Sequence, residues 1–120
     1  MDERRKTQRR HLLYYGRVYD EELRKQIGYL VDITAQGLML LSEEPVRVGE
    51  TRKLKLEITN DVDDRPYLTF AAKSIWCEPD ISPDHYTTGF EILELKPSDA
   101  QIINNIVRIY GFRDNKNRAE

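Results

Sequence analysis

The chain has 120 residues, enough for one domain with a modest core and too few for two. With 39% hydrophobic and 33% charged residues it has the composition of a globular protein, and a formal net charge of -2 argues against bulk nucleic-acid binding, which calls for an overall basic surface. No apolar run reaches the roughly 18 to 20 residues that cross a bilayer, and the first residues are charged where a signal peptide has its apolar segment, so the reading is a cytoplasmic protein without membrane insertion.

Residues 1–10 hold five cations, Arg4, Arg5, Lys6, Arg9 and Arg10, and no apolar side chain besides Met1. They cannot pack onto a core and are expected to form a flexible basic arm. Over residues 12–19 an alternating, aromatic-rich run predicts the first strand. Residues 20–26 are charged and form a hairpin connection or a short helical turn. Gly28 then opens the second strand, Tyr29-Leu30-Val31. At 32–37 the apolar pattern breaks. Asp32 and Thr34 readily bond neighbouring backbone groups and Gly37 can take positive φ, so a tight polar turn is predicted.

Residues 38–41 resume as a third strand, and Pro45 and Gly49 punctuate the link to the next. The cleanest alternation lies at 51–59, with Leu54, Leu56 and Ile58 set against Lys53, Lys55 and Glu57, one face for the core and one for water. Residues 60–66 read as an acidic hairpin tip. Two more strands follow at 67–76 and 86–95, joined by a loop with Pro79, Asp80, Ser82, Pro83 and Asp84. Short strands between turn signals define a mainly β fold, a small antiparallel barrel of about six strands whose closure removes exposed edges.

The ending changes period. Ser98 with Gln101 three residues on has the form of a capping box, and Ile102, Ile103, Ile106, Val107 and Tyr110 recur at helical spacing. A C-terminal α-helix is predicted over 98–110, stopped by Gly111. The expected organisation is a basic arm at 1–11, a barrel with its helix at 12–112 and a solvated tail at 113–120. The single Cys77 can form neither an internal disulfide nor a thiolate cluster for zinc. His11 and His85 lack neighbouring ligand pairs, and there is no nucleophile elbow, Walker loop or HExxH, so neither a metal, a cofactor nor an enzyme is expected. Taken alone, the arm arginines fit a solvated tail as well as an anion site, and Asp32 and Thr34 fit a plain turn.

Taken together they do more. Arg5, three residues and Arg9, preceded by Arg4, are followed roughly twenty residues later by Asp32-Ile33-Thr34-Ala35-Gln36-Gly37. This pair resembles the two signatures of the PilZ domain family, R-x-x-x-R and D/N-x-S-x-x-G, and Thr88-Gly89-Phe90-Glu91 resembles the late strand of that family, which carries a Gly-Phe pair. Thr34 departs from the usual Ser, keeping the hydroxyl and adding a methyl.

The resemblance implies a small β-barrel that binds the second messenger cyclic di-GMP through Arg4, Arg5, Arg9, Asp32, Thr34 and Gly37, with Arg10 and Trp76 as weaker contacts. A guanidinium can pair two-pronged with guanine O6 and N7 or with phosphate, and can stack on a base. Arg4 stands where a further arginine helps to hold a stacked ligand dimer. Asp32 can accept from guanine N1 or N2 or brace an arginine, Thr34 can offer its hydroxyl to phosphate or ribose, and Gly37 admits close approach of the backbone. For Trp76, core packing is an equal expectation. The arm would close over the ligand and alter the surface offered to a protein effector in motility, biofilm or exopolysaccharide control, in a monomer or a homodimer. The rival readings are a degenerate PilZ adaptor that docks through its isoleucine-rich helix, and a small-barrel nucleic-acid binder; no DNA or RNA partner is expected.

Overall fold

Six runs of alternating inward apolar and outward polar side chains become six antiparallel strands in the computed structural model, which describes residues 16–82 and 84–111. They are β1 (Arg17–Asp20), β2 (Lys25–Ile33), β3 (Gly37–Ser42), β4 (Thr51–Glu57), β5 (Tyr67–Pro79) and β6 (Tyr86–Glu94). They close into a barrel in the order β1-β2-β3-β6-β5-β4. Because β1 pairs with both β2 and β4, none of the described strands is left as a sheet edge.

The inward positions form one continuous core. Val18, Leu30, Leu40, Leu54, Leu56, Leu68 and Phe70 are buried inside the ring, each contributing about 1.5–3 kcal/mol through the apolar surface it removes from water. As predicted for β4, Leu54 and Leu56 point inward while Lys53 and Lys55 face outward. Helix α1 (Pro97–Tyr110) follows β6, and its Ile102, Ile103 and Ile106 share the core cluster with Ile58 and Val62 of the β4–β5 connection. Two polar contacts fasten the helix there. Arg65 Nη2 lies 3.2 Å from Asp99 Oδ1, and the Tyr110 hydroxyl donates to Asp61. The helix therefore covers the barrel end at which β2 finishes and β3 begins.

Several boundaries differ from the sequence reading, for local reasons. Of the first predicted strand, residues 12–15 lie outside the described residues, and the described part runs to Asp20. There the Asp20 carboxylate accepts the N–H groups of Glu22 and Leu23, closing a hairpin turn that lets β2 start at Lys25, ahead of Tyr29. Strand β5 continues to Pro79, and register shifts at Ala71/Ala72 and Ser74/Trp76 carry it past the predicted end. Helix α1 begins one residue early. Pro97 takes the first helical position, where its missing N–H costs nothing, so Lys96 is the N-cap and makes no side-chain cap hydrogen bond; the predicted Ser98 cap is not formed. Gly111 ends the helix with φ -72°, in extended rather than left-handed backbone.

Candidate ligand site on the outer face of the barrel

Strand β2 ends in a polar turn built by its own side chains. The Asp32 carboxylate accepts the Ile33 N–H at 3.0 Å, and Thr34 Oγ1 accepts the Gln36 N–H at 3.1 Å. The Thr34 N–H donates to the Gly37 carbonyl at 2.8 Å, and the Gln36 carbonyl accepts from the Ile92 N–H at 2.9 Å, which ties the turn to β6. Short polar side chains that bond the backbone one or two residues away make such turns. Asp32 and Gly37 belong to the strands themselves, so the turn is confined to 34–36.

Gly37 is needed for a reason other than the predicted one. Its φ is not positive; among the described glycines only Gly49 has that conformation, at 91°. What Gly37 supplies is room, because a Cβ there would stand 2.5 Å from the Phe90 carbonyl oxygen on the neighbouring strand. Close backbone approach, which was the ligand-side argument for this glycine, is realised here between β3 and β6.

The register aligns the other candidates. Asp32 of β2 is paired with Met39 of β3, Met39 with Gly89 of β6, and Gly89 with Trp76 of β5. All four face outward, since their neighbours Ile33, Leu38, Leu40, Thr88 and Phe90 point into the core; Gly89 itself is buried, beneath the Trp76 indole. Adjacent strands are about 4.8 Å apart, so this row spans on the order of 14 Å. Trp76 is 37% exposed and stands outside the core cluster, which excludes the core-packing expectation. The shift at Ser74/Trp76 turns both Ile75 and Trp76 outward. The indole then lies over Gly89, where a Cβ would collide with its Nε1 and Cε2 atoms.

Gly89 thus has a part in shaping this face that the sequence reading did not single out. Its only sequence signal was the Gly-Phe pair, which the fold divides: Phe90 fills the core, and Gly89 makes the outer surface flat enough for an indole. An acid and an aromatic face along one row, with a turn hydroxyl two residues beyond the acid, can hold a planar heterocycle whose edge carries hydrogen-bond donors.

Arg4, Arg5, Arg9 and Arg10 lie outside the described residues. The described chain begins at Gly16, whose carbonyl accepts the Leu30 N–H at 2.8 Å, next to the Arg17–Tyr29 pair. Because β1 is antiparallel to β2, the chain enters the barrel at the end where β2 reaches Asp32. A cavity of about 680 Å³ lies elsewhere, at the opposite end of β2 and β3, between Lys25, Gly28, Ser42, Arg47, Arg52 and His85. It includes none of the candidate residues. Among the described residues no group of three or more His, Cys, Asp or Glu side chains is placed to hold a metal ion, and no helix is long and apolar enough to cross a membrane.

A closed six-stranded barrel with a polar turn between β2 and β3 and a helix across that same end defines the class: a small antiparallel β-barrel domain. The chain belongs to the PilZ domain family, whose model matches residues 3–108. No curated protein matches it. Among solved structures it resembles the Bacillus subtilis inhibitor of motility MotI/DgrA, with 16% identity and a TM-score of 0.67. The match covers 84% of this chain and 50% of that one, so the likeness concerns the fold and half of the longer protein.

Proposed function

We propose that this protein is a cyclic di-GMP receptor that clasps its ligand between the basic residues ahead of β1 and the outer face of β2, β3 and β6. In this reading Arg5 and Arg9 pair with guanine edges and phosphate, and Arg4 and Arg10 add charge. Asp32 accepts from a guanine donor or braces an arginine, Thr34 contacts phosphate or ribose, and Trp76 offers a ring face for stacking. The observation that supports this best is the row from Asp32 to Trp76 together with the entry of the chain beside Leu30. Arg9 lies seven residue steps before Gly16, a reach of up to about 23–25 Å at 3.3–3.6 Å per residue, which exceeds the roughly 14 Å length of the row.

Each good bidentate arginine–guanine pair gives about 1–3 kcal/mol of discrimination, while ordering the backbone costs about 1–2 kcal/mol per residue fixed. Two or three such pairs can therefore order only a short segment, and the ligand acts as the switch for that segment. The reordered segment changes the surface offered to a protein effector. The structural neighbour is named an inhibitor of motility, and we carry over to this chain the corresponding class of output, control of motility through a protein partner.

Amide chemical shifts of the labelled chain test this. Cyclic di-GMP should move the resonances of residues 4–10, 32–37 and 88–90 together and saturably; shifts confined to the arm, or matched by an unrelated oligonucleotide, would argue for a general anion patch instead.

A further inference from the structure

We propose a second functional surface: the outer face of β1, β4 and β5 is a docking site for an acidic segment of a partner protein. Strand β4 stands across the ring from β3, so this face looks away from the row that ends at Trp76. It presents Arg17 and Tyr19 on β1, Lys53 and Lys55 on β4, and Tyr67 and Lys73 on β5. The register sets Tyr19 opposite Lys55, and Lys53 opposite Ala71, two residues from Lys73.

The centre of the face is held in shape. Lys55 Nζ sits 4.5 Å above the Tyr67 ring, and Tyr19 meets Tyr67 edge-on with centroids 6.4 Å apart. Half-exposed tyrosines fixed in this way lose little conformational freedom when covered, one reason they are enriched in protein interfaces. The charge is uneven. Residues 16–111 contain 11 lysines and arginines against 17 aspartates and glutamates, yet four of those cations share this one face. Two have carboxylate partners, Arg17–Glu57 and Lys55–Glu21, both at 3.6 Å. Lys53 and Lys73 make no ion pair within 4 Å among the described residues, although Glu91 stands opposite Lys73 in the β5–β6 register.

A surplus of about two charges, interleaved with glutamates, decides the kind of partner. Duplex nucleic acid is held by about 6–10 phosphate contacts, and anionic membranes attract clusters of about 4–8 basic residues. Two unpaired lysines less than about 10 Å apart, with Lys53 two residues along β4 from the Lys55–Tyr67–Tyr19 cluster, instead match two or three carboxylates on a peptide segment. The proposal stands independently of the nucleotide reading.

The test titrates the isotope-labelled full chain with a ten-residue polyglutamate peptide at low salt. Amides of 53–57 and 67–73 should shift saturably, and the Lys53→Glu/Lys73→Glu double variant should weaken that response at least tenfold while leaving the cyclic di-GMP titration unchanged. Should the reversed variant fail to fold, Lys53→Gln/Lys73→Gln serves, with at least a threefold loss expected. Shifts restricted to the arm, or a response indifferent to both variants, would overturn the proposal. So would tighter lysine-dependent binding to an oligonucleotide of equal length or to phosphatidylserine vesicles, or lysine-dependent self-association of the free chain, each of which assigns the face to another occupant.

Discussion

The indole of Trp76 lies against Gly89 across the β5–β6 pairing, so close that a single methyl group at position 89 would enter the ring. Trp76 is the only tryptophan in the chain, so its emission reports on this contact alone. Gly89→Ala should push the indole off its seat, shift the emission and weaken cyclic di-GMP binding. Base–aromatic stacking contributes about 1–3 kcal/mol per base, so Trp76→Ala should weaken binding on the order of tenfold. A fluorescence titration of the wild-type chain beside calorimetry of the two variants checks both. Unaltered affinity in Trp76→Ala would remove the indole from the site.

Thr34 has one duty in the turn and would have a second in the proposed receptor, and the two can be separated. Its hydroxyl accepts the Gln36 N–H within the turn and is proposed to meet the ligand. Thr34→Ser keeps the oxygen and should preserve both stability and affinity. Thr34→Ala should lower stability by about 0.5–1.5 kcal/mol, the net contribution of one hydrogen bond, and should also weaken ligand binding. Denaturant midpoints and isotherms on the same samples distinguish the two losses.

Arg52 and Asp20 make a prediction about stability alone. Asp20 is 2% exposed and accepts from Arg52 Nη1 at 2.8 Å, at the barrel end away from the polar turn. Removing one partner of a buried ion pair strands the other charge. Arg52→Met should therefore cost about 2–4 kcal/mol, the low side of such losses because the arginine is partly exposed, as read from urea unfolding. Below its melting point the variant should bind cyclic di-GMP as the wild type does.

The contact between α1 and the β4–β5 connection should titrate at both extremes of pH. The Thr59 hydroxyl, and after it the Tyr110 hydroxyl, hold the Asp61 carboxyl below its ordinary range, and the Asp61 carboxylate holds the Tyr110 phenol above its own. Since Asp61 has the lowered value, its contribution is present above about pH 4 and is lost as pH falls through that value. Tyr110 has the raised value, so its contribution is present below about pH 10 and is lost as pH rises through it. Amide protection in the last turn of α1, taken relative to the intrinsic exchange rate at each pH, should fall at both ends. Tyr110→Phe should abolish the alkaline branch, and a variant that retained it would refute the assignment.

Much of the barrel was legible because its strands alternate. At β4 the apolar residues Leu54 and Leu56 are separated by single lysines, and the inside–outside assignment follows from period two alone. The extension of β5 was not legible, since its register shifts put Ile75 and Trp76 on the same side, which breaks the period. Trp76 was accordingly open between core and surface. The local sequence at the helix start pointed to Ser98, but Pro97 is better suited to the first helical position and took the helix one residue further back. Gly37 and Gly89 owe their necessity to Phe90 and Trp76, partners far along the chain whose proximity appears only with the register. The polar turn was readable as a turn; its proposal as part of a site came from a motif shared with a family and not from any property of Asp32 or Thr34 taken singly.

The most direct measurement is calorimetric titration of the full chain with cyclic di-GMP, run on the wild type and on Arg5→Ala and Arg9→Ala. Saturable binding at micromolar ligand or below, lost or strongly weakened in both variants, is the predicted result. A flat wild-type isotherm, or undiminished binding when either arginine is removed, would contradict the receptor reading.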